Sequence, residues 1–293
     1  MCGLAPHKER ILRTPPRQFA HTTAARFAAT NKRMMWVTPG RVFYCGLLGE
    51  PSLRRIGGYI IYLAQGAPLQ IRLADDRWQT CDLAVVPPYQ PHRITCDARL
   101  IVDVIIEPET VEPASLPPFV RHAGALLDAG SVLRRLREAQ VRLEAHDGVL
   151  PADDDLFDEI VFGAPLPRRS LDDRIVRALA ELDRRIAESV SAEELANMLQ
   201  LSFSRFIHLF KDEVGVPLRT FRNWKRARSL LNYVTQDANL ADIAQHTGYP
   251  DAAHFSHSIR QVFGLQPREM FAGSRQLSLH AKPCDSSVFR QRR

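Results

Sequence analysis

Two stretches of one design stand close together in the last third of this 293-residue chain, over 191–210 and 240–263. Each has a short apolar-periodic segment, a break, and a second segment that opens on its own capping residue. That is the sequence form of a helix-turn-helix, whose second helix is offered to a DNA major groove. Two such units in tandem commit this region to an all-helical block with double-stranded DNA as its partner.

Leu171, Ile175, Ala178, Leu179, Leu182 and Ile186 recur at three- and four-residue intervals, which predicts an amphipathic helix. Ser191 and Glu194 then have the spacing of a capping box, and Leu195, Ala196 and Leu199 form the inner face of the first scaffold helix. Ser202 caps the next helix, expected to reach about Glu213, with Phe206, Leu209 and Phe210 inward. Its outer face presents Ser204, Arg205 and His208, with Ile207 beside them. Short Ser and His at exposed sites, in place of long Glu and Lys chains, favour a groove contact.

Gly215-Val-Pro217 ends that helix and starts another, since Gly suits the position after a helix and Pro its first turn. Leu218, Phe221, Trp224, Ala227, Leu230, Leu231 and Val234 form the apolar stripe of this long linker helix. Arg219, Arg222, Lys225, Arg226 and Arg228 cover its other face, and no acid occurs from 214 to 236. Arg222 and Lys225 are expected on phosphates, as are Ser202 and Arg260. In the second unit Ile243 and Ala244 face inward, Gly248 supplies a left-handed turn, and Asp251 is the N-cap. The last recognition helix buries Phe255, Ile259 and Phe263 and exposes Ala252, Ala253, Ser256, His257 and Arg260. Gly264-Leu-Gln-Pro267 closes it and opens a final short helix to Phe271.

These residues closely resemble the DNA-binding domain of the AraC/XylS family of bacterial transcription regulators. The stretches that carry the likeness are Ser202 to Phe210, Gly215-Val-Pro-Leu218, Arg226-Ala-Arg-Ser-Leu-Leu231, Ile243-Ala244 through Gly248-Tyr249, and Phe255-Ser256 through Phe263-Gly264 to Pro267. The resemblance spans about 170–272 and implies base-reading roles for Ser204, Ile207 and His208, then for Ala252, Ala253, Ser256 and His257. Two departures stand out. Ile259 takes the place of a usual aromatic, and Ala252 and Ala253 offer methyl groups to thymine rather than hydrogen bonds to base edges. The first unit is therefore expected to supply most of the specificity.

From about Met34 to Ile106 the pattern changes to short apolar runs punctuated by Gly, Pro and Asp, such as Arg41-Val-Phe-Tyr-Cys45, Gly58-Tyr-Ile-Ile-Tyr-Leu63 and Leu100-Ile-Val-Asp-Val-Ile-Ile106. This spacing predicts a small antiparallel barrel or sandwich. Asp82-Leu-Ala-Val-Val-Pro-Pro-Tyr-Gln-Pro-His92 is similar, more loosely, to a strand and turn of the cupin-type ligand-binding domain of the same family. Trp36, Tyr59, Tyr62, Trp78, Tyr89 and His92 are candidates for an effector pocket, with strand core as their alternative role. His92 with a distant Glu107 falls short of the three or four ligands a metal site needs, so no metal or cofactor is assigned. After a Pro-rich stretch, residues 126–143 read as a helix with Leu126, Leu133, Leu136 and Leu143 on one side. By the resemblance this stripe is a dimer interface; packing on its own barrel is the alternative.

The net charge of +6 is unevenly spread. Residues 1–33 carry seven Lys or Arg against one acid, whereas 34–167 carry 12 against 18, a body that DNA would repel. No apolar run reaches the roughly 18 residues of a membrane helix. Cys2, Cys45, Cys81, Cys96 and Cys284 form no CxxC pair, which fits a reducing cytosol rather than a disulfide framework.

The expected architecture is thus α+β with two domains. Residues 1–33 form a basic arm, or precede a true start at Met34 or Met35; 34–150 a cupin-like antiparallel β-barrel with helices; 151–169 a linker; 170–272 an all-α domain with two helix-turn-helix units; 273–293 a frayed basic tail. The expected function is a cytoplasmic, nucleoid-associated bacterial transcription regulator. It is read as an activator and not an enzyme, acting as a homodimer with RNA polymerase and a small-molecule effector as partners. A cupin metalloenzyme or a cysteine alkyltransferase fused to a DNA-binding domain, and an effector-independent architectural DNA binder, are the rival readings.

Overall fold

Ten strands and nine α-helices are built from residues 33–281 of a computed structural model, which describes all of that span except 75, 147, 189, 236–238 and 274–276. The expected N-terminal arm before residue 33, Cys2 and Cys284 lie outside the described residues. The strands are β1 (Met34–Val37), β2 (Arg41–Leu47), β3 (Tyr59–Ala64), β4 (Leu69–Leu73), β5 (Gln79–Cys81), β6 (Leu83–Val86), β7 (His92–Cys96), β8 (Leu100–Ile106), β9 (Gly124–Ala125) and β10 (Ser278–His280). They form a seven-stranded sheet in the order β10-β1-β2-β8-β3-β6-β9 and a three-stranded sheet β5-β4-β7. Every pairing is antiparallel except β1 with β10.

The large sheet is covered on both faces, and the strand period of two decides which residues go where. Met34, Trp36, Phe43, Cys45, Ile61, Leu63, Val102 and Val104 point to one face. They pack there under α1 (Gly130–Glu144) and α2 (Asp154–Phe162). Met35, Val42, Ile60, Tyr62, Ile101 and Ile105 point to the other, shared with the small sheet and the C-terminal helices.

The C-terminal helices are α3 (Asp173–Arg184), α4 (Ala192–Met198), α5 (Phe203–Val214), α6 (Leu218–Ser229), α7 (Leu240–His246), α8 (Ala252–Phe263) and α9 (Pro267–Gly273). Helices α3 to α5 and the start of α6 close a core of their own around Phe206, Phe210 and Phe221, whose rings meet edge to face. Trp224, Ala227, Ile243, Phe255 and Ile259, by contrast, join the core of the β domain. The second helix-turn-helix unit and the β domain are therefore one packed body.

Three sequence expectations change. The segment 151–169 is not a free linker, because α2 lies inside it and is fastened to the β domain. Phe157 packs on Trp36 with ring centroids 4.8 Å apart, and Asp158 pairs bidentately with buried Arg41 at 2.7 and 2.8 Å. Asp153 caps α2 by accepting from the Leu156 amide, and Gly163 ends it at φ +89°. The tail is not wholly frayed either, since β10 adds in parallel beside β1 and His280 Nδ1 accepts from the Leu150 amide. Finally, the Leu136 and Leu143 stripe of α1 is buried against the chain's own sheet, so it is not free for a second copy. The helix starts at Gly130, leaving Leu126 and an 85% exposed Leu127 before it.

Candidate nucleic-acid interface

Both helix-turn-helix units form from local chemistry. Ser191 and Glu194 make the reciprocal capping box of α4, and Leu195 and Ala196 seat it on the core. Ser202 Oγ accepts from the Arg205 amide and starts α5, whose period buries Phe206 and Phe210. Ser204, Arg205 and His208 are left exposed, with Ile207 half-buried beside them. The second unit repeats the plan. Asn239 caps α7, and Gly248 turns the chain at φ +77°, where an added Cβ would lie 2.8 Å from the Ile186 carbonyl oxygen. Asp251 then caps α8, accepting from the Ala253 and His254 amides at 2.8 Å each. Those bonds, with the His254 ring 2.7 Å away, hold the Asp251 carboxyl below the usual carboxylate range. Ala252, Ala253, His257 and Arg260 are exposed and Ser256 is half-buried. Of the seven residues to which the family resemblance gives base-reading roles, Ser204, His208, Ala252, Ala253 and His257 are thus exposed on α5 and α8, Ser256 is half-buried, and Ile207 packs partly on the helical core.

Helix α6 joins the two units, and its two sides do different work. Residues 224, 225 and 228 lie on one side of the helix, turned toward the β domain. Trp224 Nε1 donates to both carboxylate oxygens of Glu107, at 2.9 and 3.0 Å. Arg228 Nε stands 2.7 Å from the same carboxylate, and its Nη2 donates to the carbonyls of Thr38 and Arg41. Lys225, expected on a DNA phosphate, is corrected by this arrangement: its ammonium is 3.2 Å from Glu109 and 3.8 Å from both Glu107 and Asp183. Burial pulls the Lys225 ammonium down, but those three carboxylates outweigh it and hold it above its ordinary range. Burial also pushes Glu107 up, against the pull of Lys225 and Arg228. The opposite side of α6 leaves Arg222 and Arg226 half-buried and Arg219 exposed, facing the space between α5 and α8.

A second feature lies where the β domain meets the end of α8. A cavity of about 410 Å³ is walled by Ile60, Tyr62, Asp103 and Ile105 on the sheet side. On the helix side, Val262, Phe263, Leu265 and Met270 wall it. That volume is in the range of small-molecule sites. Its polar floor is one row across three strands, Tyr44–Asp103–Tyr62, set by the register of β2, β8 and β3. Burial pushes the Asp103 carboxyl up to about 7, opposed by Arg54. Arg54 is 95% buried, donates from Nη2 to the Gly49 and Glu50 carbonyls, and has no hydrogen-bond partner for Nε among the described residues. Its guanidinium sits under Gly264, where an added Cβ would fall 2.5 Å away.

Of the residues expected around an effector, the structure brings only Tyr62 to this cavity wall. Trp36 and Tyr59 have the opposite strand parity and belong to the face under α1 and α2. Tyr89 lines the groove between α5 and α8 instead, and Trp78 is 43% exposed with Arg72 over its ring. His92 is wholly buried behind the wall. Its Nδ1 is 3.0 Å from the Gln90 carbonyl and its Nε2 2.8 Å from the Tyr62 hydroxyl. Burial holds it down at about 4, so the ring is neutral; Nδ1–H donates to Gln90 and Nε2 accepts from Tyr62. Glu107, weighed in the sequence as a distant metal partner, is the anchor of α6. Burial lifts the Cys45 thiol to about 12, with Glu144 adding to it, and the Cys81 thiol to about 11, with Asp82 adding. Neither thiol is poised as a nucleophile. Among the described residues, no group of three or more His, Cys, Asp or Glu is placed to hold a metal ion.

A family model described as a helix-turn-helix domain matches residues 195–273. The transcriptional activator RhaS of Escherichia coli O157:H7 is 28% identical over 156 residues, 49% of this chain and 55% of RhaS. The invasion protein InvF of Salmonella typhi is 34% identical over 71 residues, 24% of this chain and 33% of InvF. The chain therefore spans about a half and a third of these relatives. Among solved structures, an apo form of ToxT from Vibrio cholerae matches with TM-score 0.52 and 12% identity, over 81% of this chain and 99% of ToxT. That is a likeness of fold, and it takes in the β-rich region as well as the helices. The matched residues contain most of the motif stretches that resemble AraC regulators, and this C-terminal stretch is a helix-turn-helix domain of the AraC type, similar to those of RhaS and InvF.

Proposed function

We propose that this protein is a sequence-specific transcription activator whose hold on DNA is set by a small molecule bound between its two domains. The observation that carries the reading is the shared wall of the cavity. Helix α8 exposes Ala252, Ala253, Ser256 and His257 at its N-terminal end and contributes Val262 and Phe263 to the cavity at its other end. A ligand that fills the cavity bears directly on the second recognition helix. Such a ligand changes DNA affinity only by the difference in its own affinity for the two arrangements of that helix. The lining suits a largely apolar molecule with one hydrogen-bonding end, met by Arg54, Asp103 and Tyr62.

In this reading α5 and α8 enter successive major-groove segments, and phosphate contacts come from Ser202, Arg222 and Arg260. The activator works as a homodimer in a bacterial cytoplasm and touches RNA polymerase beside its promoter. The description of RhaS as a transcriptional activator supports this part of the proposal. The test is selection of bound fragments from sheared host DNA by the full chain, at about physiological salt, with His208→Ala in parallel. The expected result is a compact motif in one or two groove-spaced blocks, altered in the variant. Uniform recovery of all fragments, with or without added metabolite extract, overturns sequence-specific regulation and favours an architectural binder.

A further inference from the structure

Between the two recognition helices runs a groove over the free side of α6. Four guanidinium groups converge on it from two elements, Arg219, Arg222 and Arg226 from α6 and Arg55 from the β domain, with the His254 and His257 rings of α8 beside them. No Asp or Glu is among its lining residues. Arg222 and Arg226 are half-buried and crowd one another, and burial together with that crowding pulls Arg222 below the usual guanidinium range. Four guanidinium groups gathered this closely, with no carboxylate lining the groove, call for a polyanion.

Arg55 is the unexpected member. It comes from an acidic domain, yet its own amide donates to the Gln261 carbonyl of α8 at 3.0 Å. That backbone bond pins the segment 54–57 against the recognition helix. Gly57 lies so close to the Trp224 indole that an added Cβ would be 2.3 Å from it. The neighbouring Arg54 is buried and committed to the cavity, whereas the Arg55 side chain is exposed and turned into the groove.

We propose that this groove seats the DNA sugar-phosphate backbone between the two major-groove segments, and that the β domain takes part in DNA binding through Arg55. The inference rests on the DNA-binding reading. It adds that the β domain is a phosphate-contacting part of the interface as well as a ligand-binding part.

The backbone bond to Gln261 survives any side-chain change, so Arg55→Ala removes the cation without undocking the segment. Full-length chain would be titrated onto a labelled duplex of mixed sequence between 50 and 200 mM salt. Arg55→Ala, Arg55→Lys and Arg121→Ala would be run beside the unmodified chain; Arg121 is an exposed β-domain arginine outside the groove. The expected result for Arg55→Ala is a several-fold weaker Kd and a salt slope smaller by about 0.9. Arg55→Lys should restore most of the loss, and Arg121→Ala should bind like the unmodified chain. An unchanged slope in Arg55→Ala, or equal losses in Arg55→Ala and Arg121→Ala, overturns the proposal in favour of net charge alone. Failure of the unmodified chain to bind any duplex overturns the DNA-binding reading itself, and this inference with it.

Discussion

Asp103 sits in the middle of an otherwise apolar strand, and its carboxyl is pushed up to about 7 by burial. Between about pH 4 and 7 the folded chain therefore holds a proton that the unfolded chain has released. Native stability should fall as pH rises through that window, and be largest below it. Asp103→Asn removes this slope: its thermal midpoint should vary less from pH 4 to 7 and exceed that of the unmodified chain at pH 8. A parallel pH dependence in both proteins would show that Asp103 is not the titrating group. A charged residue in an inward position of the Leu100–Ile106 strand was a signal present in the sequence. Its partners Tyr44 and Tyr62 were not legible, because they come from strands whose register only the fold defines. The exposed positions proposed to face bases were legible as exposed, since caps and the helical period are local. For them the expectation is that Ser204→Ala or His208→Ala relaxes sequence preference by about 1–3 kcal/mol. Competition between the selected motif and single-base variants reads this directly, and an unchanged preference in both substitutions removes them from the reading face.

At the scale of elements, α6 shows what an amphipathic pattern hides. Its basic residues were legible as one free face, but the helix is docked on two sides, and Lys225 and Arg228 belong to the stripe that meets the β domain. Their partner Glu107 is 117 residues from Trp224 in sequence, beyond the reach of any local pattern. Two substitutions separate the sides of the helix. Arg222→Ala should weaken binding to all duplexes alike and lower the salt slope by about 0.9, whereas Lys225→Ala should leave that slope unchanged. Equal slopes for the two variants would return Lys225 to the DNA face. Glu107→Ala leaves Arg228 without its buried counter-charge and frees the Trp224 N–H. Removing one partner of such a buried set costs about 3–5 kcal/mol, which urea unfolding would register as a lower midpoint. A shift near zero would mean that α6 is not held through Glu107. The strands were legible as strands but not in their facing, for a related reason. With both faces of the large sheet buried, β1 and β6 carry no polar alternation to tell Trp36 from Met35.

At the scale of the whole molecule, the proposed effector and DNA sites lie at opposite ends of α8, so on that reading their binding should be coupled in both directions. If a cavity ligand changes DNA affinity by some factor, DNA must change ligand affinity by the same factor. The ligand should also stabilise the fold by about 2.7 kcal/mol at a hundred times its Kd, visible as a raised thermal midpoint. Ile101 lies on the cavity wall from the sheet side, in β8 and away from α8, which makes it the position to test. Ile101→Trp puts extra volume into a space of about 410 Å³ rather than into packed core, so the variant is expected to fold with little loss of midpoint. Its DNA affinity without ligand should match that of the unmodified chain, because no groove-facing residue is touched. What it should lose is the response: added ligand changes neither its midpoint nor its affinity for DNA. Retention of the full ligand response would move the effector out of this cavity. Loss of DNA binding without ligand would instead show that the wall position, rather than what fills the cavity, governs α8.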